Sequence, residues 1–565
     1  MIINRINRLR KKFNKLNIDG YIVPKNDEFF SEYAAKDRLK SITNFSGSAG
    51  LAIVLKKKNY LFVDGRYTIQ AKKQSGKNFK IIEIHKKLPG TIIKDLTLGF
   101  DPCLFTNKQL RYYFSNKIKL DAIEKNLIDE IHKTKLPNTK PFFSLRDKIV
   151  GEGHKSKINK VRNFLKSNKV DYLFISAPEN VAWILNIRGN DNPNSPIPNS
   201  RLIIGKNKEL FFISSKEKTS KIIKEKKLSK NQIVTPGKFL SLIKKLDRKS
   251  FIIDHNSCSV FYEKIIRSKF KIIDKKDPCY LLKSIKNSSE IKHMINAHIN
   301  DGLALTKFIF WLKNKNTKKI TEIDAQNKLE KFRRLCKYYL FPSFNTIAGT
   351  GPNGAIVHYR ALKKTTRIIK KSDIFLCDSG GQYNFGTTDV TRTICFSNQK
   401  TKIKNIFTKV LKGHIAVAQT DLKKDNTGQK IDVRARKFLK MDGLDYAHGT
   451  GHGVGFFLNV HEGPQSISKN NSIKIKEGMI LSNEPGYYKH GQFGIRIENL
   501  VYVKKSKNNL YFENLTLAPI EKDLINFKLL NKNEKDYLFK YHLNIYSKYS
   551  KSLNLSERKW LASLI

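Results

Sequence analysis

Two stretches of the chain repeat one order of apolar and polar positions. Ile6, Leu9 and Phe13 recur at helical spacing and lead through Ile18-Asp19 into an apolar run at 21–23. Ile158, Val161 and Leu165 lead in the same way through Val170-Asp171 into a run at 173–175. Each copy predicts a helix, a turn and a strand, and further apolar runs follow at 51–63 and 202–213. Two related α/β modules are expected, joined within 134–153, where Pro137, Pro141, Gly151 and Gly153 break the pattern. A third unit opens with Ser288 or Ser289 as a candidate cap and the stripe Ile291, Met294, Ile295, His298, Gly302, Leu305 and Ile309, which predicts a long amphipathic helix. His298 on that stripe reads as a hydrogen-bonded packing residue. A second helix is expected over 321–337.

Beyond it the period changes to two. Residues 373–377 form a β-prone run that ends at Asp378, and 388–396 alternates. At 495–498, Ile495 and Ile497 fall on one face and Arg496 and Glu498 on the other. Two amphipathic helical stretches, with Trp560, close the tail. The predicted boundaries are 1–150, 151–285, 286–512 and 513–565.

Composition changes this picture little. The 565 residues suffice for about three domains. The formal charge of +59 at face value suggests an anionic partner. Lysine, asparagine, isoleucine and phenylalanine are all abundant, however, arginine is sparse, and the lysines are scattered over every segment. The charge therefore reads as a solvated, compositionally driven surface, and no specific nucleic-acid partner is expected. Six cysteines without Cys-x-x-Cys spacing read as reduced thiols, which implies a reducing compartment such as the cytoplasm. The basic start runs directly into the first strand and lacks an apolar signal core, so it reads as the first helix. No apolar run is long enough to predict a membrane span.

The chemistry gathers between 377 and 499. Asp378 and Asp389 can lie on neighbouring strands, with Gly380, Gly381 and Gly386 turning the chain between them. His448, His452 and His461 follow in HGTGHGVGFFLNVHEGP. Its glycines at 449, 451, 453 and 455 disfavour a helix and so exclude the helical His-Glu-x-x-His zinc pattern. In an extended chain His448 and His452 share a face. Glu484 sits in a Pro-Gly turn, and Glu498 ends FGIRIE. Singly, such residues usually cap turns or satisfy polar neighbours. Together, four carboxylates within a few Å cannot all ionise without cations. Two divalent ions would oppose four carboxylates and a bridging hydroxide, leaving about one negative charge to attract a substrate ammonium.

The contexts DSGGQYxxGTTDVTRT, HGTGHGVGxFLNVHEGP, NEPGYY and GIRIEN, with GPNGAIVHYR around His358, closely resemble the Xaa-Pro aminopeptidases in their long three-domain form. The resemblance implies two creatinase-like α/β domains, a pita-bread metallopeptidase domain and a C-terminal helical extension that caps it and contributes to a homodimer. It implies release of the N-terminal residue from peptides with proline second. Asp378, Asp389, His452, Glu484 and Glu498 then bind two metal ions. That donor set suits Mn²⁺ and would accept Co²⁺, Fe²⁺ or Zn²⁺. Asp378 chelates one ion, Asp389 and Glu498 bridge both, and His452 and Glu484 complete the other. Glu484 is also the proton carrier. His358, His448 and His461 hold the peptide and the developing oxyanion, and Arg66 in VDGRY meets the peptide. Three alternatives stay open: a prolidase, a creatinase-like carbon-nitrogen hydrolase, and an inactive pita-bread binding protein.

Overall fold

The structure, a computed structural model, describes residues 2–114, 118–134, 140–247, 249–314 and 319–565. They form two compact units, Met1–Tyr280 and Leu281–Ile565.

In the first unit the repeated pattern becomes two six-stranded sheets of the same order. Gly20–Pro24 pairs antiparallel with Leu51–Leu55 on one side and parallel with Thr97–Phe100 on the other. Asn59–Val63 and Lys80–Glu83 extend one edge, and Lys119–Ala122 the other. In the second sheet Tyr172–Ile175 takes the central place, with Arg201–Gly205, Leu210–Ile213 and Ile233–Val234 to one side and Ser250–Ile253 and Lys271–Asp274 to the other. The helices Ile2–Arg10 and His154–Ser167 precede the central strands and bury the predicted stripe residues. Both central strands are buried throughout, so their sequences are continuously apolar rather than alternating. At the expected join, Gly151 at φ 69° ends Asp147–Val150 and Gly153 caps the next helix. Pro137 lies outside the described residues.

The long helix of the second unit spans Ser288–Asn314. Its cap is Asn287 rather than Ser288 or Ser289. Asn287 Oδ1 accepts from Glu290 N at 3.0 Å and the Glu290 carboxylate accepts from Asn287 N at 3.1 Å, a reciprocal cap that places Ser288 in the first turn. The second helix spans Glu322–Arg334, capped by Thr321 and Asp324. It ends earlier than the stripe suggested, because Tyr338 takes φ 71° and turns the chain into the strand Tyr339–Pro342. Ile347–Thr350, Ile374–Ser379 and Val390–Cys395 form one antiparallel sheet. Gly451–Gly453, Glu462–Ile467, Ile480–Asn483, Asn499–Ser506 and Asn509–Asn514 belong to a five-stranded sheet, and Gly486–Lys489 pairs with Phe493–Arg496. The helix Thr401–Ala418 covers the hairpin: its Phe407, Val410, Leu411 and Ile415 pack with Ile495 and Ile497.

The tail helices Lys532–Tyr549 and Leu555–Ala562 belong to the same core through Leu538, Tyr541, Ile545 and Leu561. One buried guanidinium joins the tail to the strands. Arg392 donates to the backbone oxygens of Thr391, Glu498, Ala518 and Pro519, to Asn499 Oδ1 and to Tyr541 Oη, at 2.6 to 3.0 Å. None of these acceptors is a carboxylate. A cation so buried is tolerable because its donors are all used.

Candidate metal centre

Strand register brings the ligand candidates together. Asp378 stands opposite Thr391 and Ser379 opposite Val390, so Asp389, just before that strand, reaches the same end of the sheet. The tight passage needs Gly380, where a Cβ would lie 1.9 Å from Thr388 O. His452 is the middle residue of Gly451–Gly453. The neighbouring Ile480–Asn483 leads directly into Glu484, and the pairing of Asn483 with Asn499 sets Glu498 at the mouth of the next strand. Glu498 N donates to Thr391 O at 3.1 Å, which ties the two sheets at this point.

The side chains converge. One donor atom each of Asp389, His452 and Glu498 lies within 4.8 Å of the others. His452 Nε2 is 3.4 Å from Asp389 Oδ2 and 3.5 Å from Glu484 Oε1. Asp378 Oδ2 accepts from Arg496 Nη2 at 2.6 Å, Glu498 Oε2 from Thr391 Oγ1 at 2.7 Å, and Glu484 Oε1 from Ser482 Oγ at 3.0 Å. Asp378 Oδ1 and Asp389 Oδ1 are buried without a hydrogen-bond partner among the described residues.

The electrostatics are those of a crowded anionic site. Burial, opposed by Arg496 but reinforced by Asp389 and Glu484, pushes Asp378 up to about 7. Burial and the neighbouring carboxylates also raise Glu498 well above the ordinary range, and burial raises Glu484 although the His452 and Arg496 charges oppose it. Burial alone would lower His452, yet the Asp389 hydrogen bond and the Glu484 charge lift it to about 9. The His452 Nδ1 contact to Gly453 O at 2.9 Å is met when Nδ1 carries the proton, which leaves the Nε2 lone pair turned towards two carboxylates. That arrangement is repulsive unless a proton or a cation lies between them. Orphaned carboxylate oxygens, mutually raised acids and an inward ring nitrogen fit divalent ions.

The other candidates fall around this centre in different ways. His461 is exposed, and its ring centroid lies 4.3 Å from that of His452. His448 does not share a strand with His452, because the strand begins only at Gly451. It reaches the centre through a relay instead: His448 Nε2 meets Tyr488 Oη at 2.8 Å, and Arg496 Nη1 donates to the same oxygen at 2.6 Å. His358 lies half-buried on the loop after Gly351–Asn353. Arg66 belongs to the first unit, where it forks onto Asp64 at 3.1 and 2.7 Å. Sequence reasoning passed over Arg496, Tyr488, Thr391 and Ser482. Arg496 was visible on the Glu498 face, but nothing in the alternation named Asp378 as its partner. A second grouping, Cys395 with Glu521 and Asp523, is closed by Lys313, whose Nζ lies 2.7 and 2.8 Å from the two carboxylates.

Comparison with known proteins bears on this arrangement. The description "Creatinase/Prolidase N-terminal domain" matches residues 5–127 and again 133–290, "Metallopeptidase family M24" matches 292–505, and the C-terminal region of that peptidase family matches 508–564. The chain is 38% identical to the probable Xaa-Pro aminopeptidase P of Laccaria bicolor, over 99% of this chain and 92% of that one. The chain belongs to metallopeptidase family M24. This M24 metallopeptidase is also 35% identical to Xaa-Pro aminopeptidase 1 of Dictyostelium discoideum, over 100% of its own length and 96% of the relative's. The X-prolyl aminopeptidase of Caenorhabditis elegans, described as a cytosolic enzyme with a di-nuclear active site, matches with TM-score 0.89 at 29% identity, over 100% and 99% of the two chains. The prolidase of Thermococcus sibiricus shares the fold at TM-score 0.53 and 24% identity, covering 98% of that chain but 66% of this one. The M24 metallopeptidase thus carries two creatinase-type modules ahead of a pita-bread domain, as its sequence implied, and it is a metal-dependent hydrolase.

Proposed function

We propose that this M24 metallopeptidase is an Xaa-Pro aminopeptidase that releases the first residue from peptides with proline in second position. The observation that carries the reading is the convergence of Asp378, Asp389, His452, Glu484 and Glu498 in a chain whose full-length relatives bear that name. Two divalent ions, when bound, supply Lewis acidity and lower the pKa of water. Mn²⁺ suits the oxygen-rich set, and Co²⁺, Fe²⁺ and Zn²⁺ are compatible with it. Asp378 would hold one ion, His452 and Glu484 would hold the other, and Asp389 and Glu498 would serve both.

The chain's own groups move protons and hold the peptide. Glu484 takes a proton from the attacking water and returns it to the leaving nitrogen. His358 and His461 steady the oxygen of the scissile carbonyl as charge develops. His448, tied to Arg496 through Tyr488, contacts the peptide, and Arg66, whose guanidinium Asp64 pre-orders, is a substrate-binding candidate of the first unit. An Xaa-Pro bond offers no N–H at proline, so recognition rests on the ring and on the free terminal ammonium.

The protein is proposed to act in the cytoplasm as a homodimer. The six free cysteines suit a reducing compartment, and the tail exposes Phe539, Leu543 and Leu555 for a contact. Elemental analysis coupled to a peptide panel tests the reading. Two metal equivalents, and loss of only the first residue from a bradykinin-like Xaa-Pro peptide, are expected. Cleavage confined to dipeptides such as Gly-Pro would make it a prolidase, and failure to bind metal would end the peptidase reading.

A further inference from the structure

Among the buried carboxylates of the second unit that lie outside the candidate metal centre, one stands at the first position of a helix. Glu322 opens the helix Glu322–Arg334 and is fully buried. A first-turn acid on a helix needs only the helix dipole and solvent, yet this one is turned inward onto neutral donors. Its Oε1 accepts from Thr350 N at 2.8 Å and Asn353 Nδ2 at 3.0 Å, and its Oε2 from Tyr359 Oη at 2.8 Å and Arg367 N at 2.9 Å. Its own N–H donates to Arg367 O at 3.0 Å.

These donors flank and line one loop, 351–367, which carries His358: Thr350 and Asn353 stand at its start, Tyr359 follows His358, and Arg367 stands at its end. Thr350 closes Ile347–Thr350, the strand that sets Ile347 opposite Asp378. Arg367 stands where the chain leaves the loop, beside the bridge between Thr321 and Ile368. The Tyr359 ring packs with Ile347 and Leu376, two residues before Asp378. Gly354 approaches Gly494 so closely that a Cβ on Gly494 would lie 1.9 Å from Gly354 O. The loop is therefore pinned on one side to the strands that carry Asp378 and Arg496, and on the other to a single carboxylate.

We infer that Glu322 is a positioning residue for the peptidase reaction: by gathering both ends of the 351–367 loop it fixes His358 against the bound peptide. This rests on the reading that His358 serves the substrate. Glu322→Gln preserves size but replaces one acceptor oxygen with an amide donor that opposes the N–H and O–H groups around it. With an Xaa-Pro peptide, Glu322→Gln is expected to lower kcat on the order of ten- to a hundredfold, to change KM less and to retain two metal equivalents. Its loss should not add to that of His358→Ala in the double variant. Tyr359→Phe, which removes one of the four donors to Glu322 together with an acceptor of Asn353 Nδ2, should shift kcat the same way by less. Additive losses, wild-type kinetics, or loss of metal would overturn the inference.

Should the unaltered protein leave Xaa-Pro peptides intact, the functional reading fails and hydrogen exchange still decides the positioning claim. Glu322→Gln is expected to speed exchange at 350–367 alone. Unchanged exchange, or a change spread over the whole unit, would refute it.

Discussion

Asp389 faces His452 Nε2 with one oxygen and leaves the other without a hydrogen-bond partner among the described residues. That oxygen is therefore open to a bound cation. Asp389→Asn should bind at most one metal equivalent instead of two by elemental analysis, and hydrolysis should fall below detection. Arg496 offers a sharper case, because it is the fixed cation beside Asp378 at 2.6 Å. Removing it as Arg496→Met leaves a buried carboxylate unpaired. The variant should melt lower than the parent, and Mn²⁺ should raise its Tm by more than it raises the parent's, since a metal ion then replaces the lost charge. The ligand candidates were legible because each sits in a long context in fixed order. Tyr488 and Ser482 were not, since a hydroxyl that orients another group leaves no period or spacing in the sequence.

Among the elements, periodicity told where helices lie but not where they stop. The stripe that starts the long helix is plain, yet the cap falls on Asn287, because the reciprocal bond with Glu290 decides it. The early end of Glu322–Arg334 depends on one left-handed residue, Tyr338, which no hydrophobic pattern encodes. Gly302 looked like an ordinary member of the stripe. In the fold it is where the helix meets the tail: a Cβ there would lie 2.2 Å from Leu517 O and 2.3 Å from Tyr549 Oη. Gly302→Val should therefore cost about 1–3 kcal/mol, read as a lower denaturation midpoint. It should also make the tail more open to limited proteolysis than in the parent protein.

At the scale of the whole molecule, the repeated modules were legible because strands buried on both faces keep continuous apolar runs. The strand order within each sheet was not, since pairing is a long-range choice. The metal centre also sets how the whole protein responds to pH. Asp378 titrates at about 7 when folded, against an ordinary value of 3.8. Between those values the folded chain holds the extra proton, so stability falls as pH rises. His452, raised from 6.5 to about 9, acts in the same sense: its contribution is complete below 6.5 and lost on passing 9. The chelator-stripped protein should thus lose Tm steadily from about pH 4 to 9. The Mn²⁺-loaded protein, with its carboxylates held ionised, should lose less. Equal slopes in the two melting series would contradict the crowded-anion account.

Arg392 also orders events in time. A ribosome delivers all five candidate ligands before it delivers Ala518, Pro519 and Tyr541, the groups that complete the shell around this guanidinium. Until they emerge, water must meet the donors that Arg392 later turns onto these groups, so the strand that leads from Asp389 lacks its buried partners. A chain cut short before Ala518 is therefore expected to fold less stably around the candidate ligands, read as a lower melting temperature than that of the full chain.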